Sequence, residues 1–219
     1  KGVTEMPQII RPDADTTRTG SSTHGNQLAI RGQTTMFGCM DDPAAVAADY
    51  AECPAGSRGG DVMVVGLGDP ATTPTSDYNH IIGVGLSKDS SGGAAVGMVC
   101  ELRQSYVSET DLGTLVCTFS CRDVPAVAAD GYYRYRLTNT EAAVITDYTA
   151  LSLRFVSFNG RGGAPRACRL HWAAMECPSA TDAADDRGHT VEESRRAHIG
   201  LDLSQESDRQ AVASANRPI

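Results

Sequence analysis

Cys117 and Cys121 stand four residues apart in "TLVCTFSCRD" (114–123), a spacing open to a disulfide, half a metal site, or plain core. The surrounding residues read as a β-strand, in which residues two apart share a face. Cys117, Phe119 and Cys121 then lie together, opposite Thr118 and Ser120. On one extended strand the two cysteines would be about 13 Å apart at ~3.3 Å per residue. Bridging fails beyond roughly 7 Å. Zinc usually takes paired thiols from turns, with a second pair to match, and a flat strand would splay this one.

The same alternation groups Met98, Cys100 and Leu102 in "GMVCELRQ", and Cys168, Leu170 and Trp172 against Arg169 and His171 in "ACRLHWA". Four of the seven cysteines therefore fall on apolar strand faces, where a free thiol packs as a small hydrophobe. An odd total excludes full pairing within one chain. If a bridge forms, Cys39 and Cys53, which flank "MDDPAAVAADYAE", are the expected pair.

Other chemistry is sparse. His189 lies near Asp182, Asp185 and Asp186, a set of oxygen and imidazole donors, but without the alternating ligand order of a calcium loop. An acidic solvated segment is the expectation, with no metal and no cofactor. "GLSKD" around Ser87 lacks the closing glycine of a nucleophile elbow, and no phosphate-binding glycine loop occurs. His171 is expected at the surface or an interface. "FNGRGGAPRACR" gathers Arg161, Arg166 and Arg169, read as solvated surface or a local anion contact. With no catalytic constellation, we expect no enzymatic activity.

The elements around these residues are mostly strands. Eight stretches carry the signal: "DVMVVGLG", "HIIGVGLS", "AAVGMVCELRQSYV", "LGTLVCTFSCRDV", "YYRYRLTN", "EAAVITDYTA", "LSLRFVSFNG" and "ACRLHWAAME". Tyr133, Tyr135 and Leu137 alternate with Arg134 and Arg136, and Leu151, Leu153 and Phe155 with Ser152 and Arg154. The pattern predicts an all-β chain, an antiparallel β-sandwich of jelly-roll type with extended N- and C-terminal arms. Residues 1–35 are expected as an extended arm, 36–178 as the sandwich, and 179–219 as a polar arm with short helices. Thr190 and Glu193 form a capping-box pattern there, and Val191, Ile199, Leu201 and Leu203 are its apolar anchors. Neither arm carries enough apolar surface to fold alone, so neighbouring subunits or the domain itself must hold them.

Composition narrows the partners. A net charge of −8, with Lys1 and Lys88 the only lysines, disfavours a surface that neutralises nucleic-acid phosphates. No run is long and apolar enough for a membrane helix. No asparagine is an N-glycosylation acceptor.

The run 113–160, with Gly131, Tyr133, Tyr135 and Leu137 followed by Leu151, Leu153 and Phe155, resembles the C-terminal half of jelly-roll modules in phage and viral surface proteins. It is also similar to trimeric heads of the complement and tumour-necrosis-factor type. That resemblance implies a structural or attachment protein without chemistry of its own: a decoration, spike or minor shell protein of a virion, assembled in a host cytoplasm. Its partners would be copies of itself, as a trimer where the likeness to trimeric heads extends to assembly, and other particle subunits. The alternative is a carbohydrate- or receptor-binding module, extracellular, with loops 69–79 and 159–167 as contact surface. A sandwich-fold hydrolase has the least support.

Overall fold

The computed structural model describes residues 7–19, 29–42, 48–53, 59–75, 77–126, 131–159 and 163–179. Eleven strands form among them: β1 (Gln8–Ile10), β2 (Pro12–Thr19), β3 (Ala29–Arg31), β4 (Tyr50–Cys53), β5 (Gly59–Leu67), β6 (Ile81–Lys88), β7 (Val96–Gln104), β8 (Thr114–Cys121), β9 (Tyr132–Arg136), β10 (Leu151–Asn159) and β11 (Cys168–Cys177). Sheet A runs β3-β4-β11-β6-β9, with β1 also paired to β11, and sheet B runs β2-β5-β10-β7-β8. Every pairing is antiparallel.

Taking β4 to β11 in chain order, one sheet holds the first, eighth, third and sixth strands and the other the second, seventh, fourth and fifth. That interleaving is the double Greek key of a jelly roll, so the expected architecture is present. It follows from alternating faces: each strand puts one apolar set inward, and two sheets are needed to close over it. Met63 and Val65, Met98, Cys100 and Leu102, and Leu153 and Phe155 line sheet B's inner face. Ile82, Val84 and Leu86 face them from β6, and Leu170, Ala173 and Met175 from β11. Each large side chain so buried is worth roughly 1.5–3 kcal/mol. Methionine and cysteine fill the gaps that a chain with only 5% aromatics leaves between the sheets.

Two expectations change. "EAAVITDYTA" is not a strand: Thr138 caps a short helix, α1 (Asn139–Ala142), and a 3-10 turn follows at Tyr148–Ala150. Thr138 Oγ1 accepts from the Glu141 amide at 3.2 Å while the Glu141 carboxylate accepts from the Thr138 amide at 2.8 Å, a local bonding scheme that an extended chain lacks. The strand that completes the eight is instead β4, inside the stretch read as a loop between Cys39 and Cys53.

The described part of the expected N-terminal arm belongs to its own sandwich. β1 extends sheet A and β2 extends sheet B, and the chain crosses between them at Arg11. Gln8 donates to the Thr72 and Pro178 carbonyls at 2.8 and 3.0 Å, and accepts from the Thr72 amide at 2.8 Å. The Asp15 carboxylate accepts from the Met36 and Phe37 amides at 3.1 and 2.8 Å, seating the 3-10 turn (Phe37–Cys39) that brings Met36, Cys39 and Met40 into the core. Backbone pairing, rather than an apolar face, holds β2 in place.

The outer faces of the sheets differ. Over sheet B the β7–β8 loop folds back, and Tyr106 and Leu112 pack on Val62, Val64 and Val156. Arg154 ties the loop down, with Nη2 2.6 Å from Glu109 and Nη1 3.1 Å from Glu101. Arg103 adds a 2.8 Å pair to Glu101. The part of sheet B formed by Val62, Val64 and Val156 is therefore covered by its own chain. Sheet A carries a different set of side chains outward.

Candidate ligand-binding face

In β6 the sequence "IIGVGL" places Ile82, Val84 and Leu86 inward and Gly83 and Gly85 outward. Two glycines on one strand face leave a shallow floor that larger neighbours must cover. Trp172 of β11 and Tyr132 of β9 flank Gly85 from either side in the hydrogen-bonded register. The indole lies over Gly83, where an added Cβ would fall 2.6 Å from Cζ3. Tyr132, 36% exposed, meets the indole edge-on, with centroids 6.1 Å apart and planes at 70°. Such edge-to-face contact is the arrangement that ring quadrupoles favour.

A bulge puts Trp172 there. The β11–β6 register shifts between Leu170 and Trp172, so one extra residue, His171, enters β11. Strict alternation sets Trp172 with Cys168 and Leu170; the bulge turns it to the outer face, beside Arg169 and His171. His171 is buried rather than at the surface. Its Nε2 lies 2.7 Å from Ser87 Oγ and its Nδ1 3.2 Å from the Asp49 carbonyl. A carbonyl only accepts, so Nδ1 carries the proton and Nε2 accepts from the serine. Both Ser87 and His171 are closed to solvent at 2% exposure, which makes this a structural bridge between β6 and β11.

Charged groups surround the rings. Arg169 Nε donates to Glu52 at 2.7 Å while its guanidinium lies 4.5 Å above the Tyr50 ring. Arg134 pairs with Glu176 at 3.4 Å, and Arg136 donates to Asn79 at 2.8 Å. Across β4, β11, β6 and β9 the face thus presents half-buried rings bordered by fixed donors and acceptors. Sequence reasoning did not find it, although the alternate glycines of β6 and the single tryptophan were its visible signals.

Other expected site residues are not brought together. Cys39 and Cys53 are not bridged: the Cys39 thiol donates to the Arg31 and Thr35 carbonyls at 3.6 and 3.5 Å, and Cys53 faces Cys168 across the sheet. All seven thiols are free and buried, including Cys117 and Cys121, which face Leu102 and Met98. Burial pushes these last two up to about 12, leaving inert thiols. Loops 69–79 and 159–167 emerge at opposite ends of the sandwich, because β5 and β10 are antiparallel neighbours. Arg166 holds the Ser91 and Gly92 carbonyls at the surface, while Arg169 pairs with Glu52 on sheet A. Arg161, His189 and the anchors Val191, Ile199, Leu201 and Leu203 lie outside the described residues. Among the described residues no cluster of three or more His, Cys, Asp or Glu could hold a metal, and no helix is long and apolar enough to cross a membrane.

No protein-family model matches this chain, and no curated protein does. Among solved structures, a carbohydrate-binding module specific for non-crystalline cellulose matches 73% of this chain and 85% of its own, at 11% identity and a TM-score of 0.35. A likeness at that level fixes neither family nor ligand.

Proposed function

We propose that this protein is a recognition module that binds a glycan chain on the outer face of sheet A. Jelly rolls serve lectins and viral shells alike, so the fold does not choose between them. The side chains do. The observation that carries the reading is Trp172 laid over Gly83, with Tyr132 against its edge. A pyranose has an apolar C–H face and a rim of hydroxyls. A partly exposed indole matches the first, and side chains such as Arg134, Glu176 and Asn79 match the second. Sheet B carries one comparable ring, Phe158 over Gly97, but Arg122 lies above it and the β7–β8 loop covers Val62, Val64 and Val156 of the same face.

The test is affinity electrophoresis and a glycan array with the intact protein, W172A and Y132A. The wild type should bind at least one polysaccharide, with W172A weakening that binding by tenfold or more and Y132A by less. Binding unaffected by W172A, or no binding to any glycan, removes the reading.

A second reading retains the chain as a structural subunit of a large particle such as a virion, a role with which the eight-strand jelly roll is equally compatible. Its tail anchors, Val191 to Leu203, are testable by deleting 179–219. Under this reading the truncated chain still folds but no longer enters the assembly, and a native size measurement on the intact protein gives a particle or a trimer rather than a monomer.

A further inference from the structure

Cys53 of β4 and Cys168 of β11 are direct cross-strand partners in sheet A. Both side chains point into the same core cluster and are 3% and 2% exposed. Residues directly opposite on antiparallel strands have Cα atoms about 4.5 or 5.5 Å apart, according to their place in the hydrogen-bond pattern. Either spacing falls within the 4.4–6.8 Å or so that disulfides span. No other cysteine has this relationship. Cys100 faces Phe119, Cys117 faces Leu102, Cys121 faces Met98 and Cys177 faces Gln8. The Cys39 thiol is engaged by two carbonyls.

We propose that Cys53 and Cys168 are a redox pair, joined as a cross-strand disulfide when the chain folds in an oxidising environment that supplies a small disulfide such as oxidised glutathione. In the first step one cysteine's thiolate attacks a sulfur of that disulfide and releases one reduced glutathione. The second cysteine's thiolate then displaces the other. The two protein thiols give up two protons and two electrons, and the external disulfide becomes two thiols. The exchange precedes burial, since in the finished core both thiols are driven far towards the protonated form. The reduced state described above is the form for a reducing compartment, and the bonded state the form for secretion. The bond would clamp the four-residue β4, the shortest strand of the eight-strand jelly roll, to the centre of sheet A.

The experiment refolds the full chain from denaturant with a glutathione redox couple, blocks free thiols under denaturing conditions, and maps the peptides by mass. The expected product links the peptides of Cys53 and Cys168, lighter by two hydrogens, with the other five cysteines alkylated. Its melting temperature should fall on adding reductant, and C168S should abolish both the link and that shift. Alkylation of all seven cysteines in the refolded wild type, or a bridge between any other pair such as Cys39 and Cys53, overturns the proposal.

Discussion

His80 and Tyr148 share a 2.7 Å hydrogen bond between Nε2 and the phenol, with their rings stacked 5.8 Å apart at 25°. His80 is fully buried at the start of β6, and burial lowers its pKa from 6.5 to about 4. Burial likewise raises the Tyr148 phenol to about 12, so above about pH 4 the hydroxyl can donate to a neutral imidazole. The unfolded chain protonates this histidine near 6.5 and the folded one only near 4. Between those values the unfolded state binds more protons, so stability falls as pH drops through that window and is complete above it. The difference corresponds to about 3 kcal/mol. Urea unfolding at pH 7 and pH 4.5 should show a loss in the wild type that is clearly smaller in H80Q. Equal losses would remove the assignment.

Gly83 sets the height of the indole, and Gly83→Ala tests that relationship without touching a charged group. The new methyl would lie 2.6 Å from Cζ3 and 2.8 Å from Cη2 of Trp172, so the ring must tilt away from the sheet. Trp172 is the only tryptophan, so its fluorescence reports the change directly. Emission should shift to the red, with a stability loss on the order of 1–3 kcal/mol from overpacking. Any glycan affinity should fall several-fold. An unchanged spectrum would mean that the indole does not rest on Gly83.

Much of this was legible before the structure, and the misses have separate physical causes. The periods of β5 to β10 expose two-sided strands because alternation survives wherever pairing is regular, as it does through Leu151, Leu153 and Phe155. It fails at His171, where one inserted residue reverses the phase of everything beyond and carries Trp172 outward. Patterning also measures burial alone, so β2, "PDADTTRT", reads as solvated although its backbone completes an edge of sheet B. The face at Trp172 was hidden for a third reason: Tyr50, Tyr132 and Trp172 come from strands far apart in sequence, and only the interleaved topology makes them neighbours. The helix at 139–142 was the exception, since "TNTE" carries its capping box openly within a stretch whose alternation suggested a strand.

Glu141 closes that capping box and also accepts from the Tyr135 hydroxyl at 2.7 Å. Tyr135 in turn stacks on Phe119 of β8 with centroids 5.0 Å apart and planes within 1°, joining the edges of the two sheets. Thr138→Ala removes one side of the cap and should cost about 1 kcal/mol. Glu141→Ala removes the other side and the partner of Tyr135 together, so its cost should be larger, roughly 2 kcal/mol. Thermal unfolding of the two variants decides the order, and equal losses would show that the Tyr135 bond contributes nothing beyond the cap.

Arg154 supplies the charged tie between the β7–β8 loop and sheet B, beside the packing of Tyr106 and Leu112. Its guanidinium reaches Glu109 through Nε at 2.9 Å and Nη2 at 2.6 Å, and Glu101 through Nη1 at 3.1 Å. The Glu109 carboxyl is held below its usual range, first by its hydrogen bonds to this arginine. With Arg154 only 12% exposed, truncation leaves Glu109 without its cation and Glu101 with Arg103 alone in a partly dry site. Arg154→Ala should cost on the order of 2–3 kcal/mol, and a cycle with Glu109→Ala should return a coupling of about 1–2 kcal/mol. Hydrogen exchange gives the structural half of the test. Amides between Ser105 and Gly113 should lose protection in the variant, while those of β6 and β11 keep theirs, because the sheet A face does not depend on this loop. Uniform loss across both sheets would instead make Arg154 a support of the whole sandwich, and the independence of the two faces would fall with it.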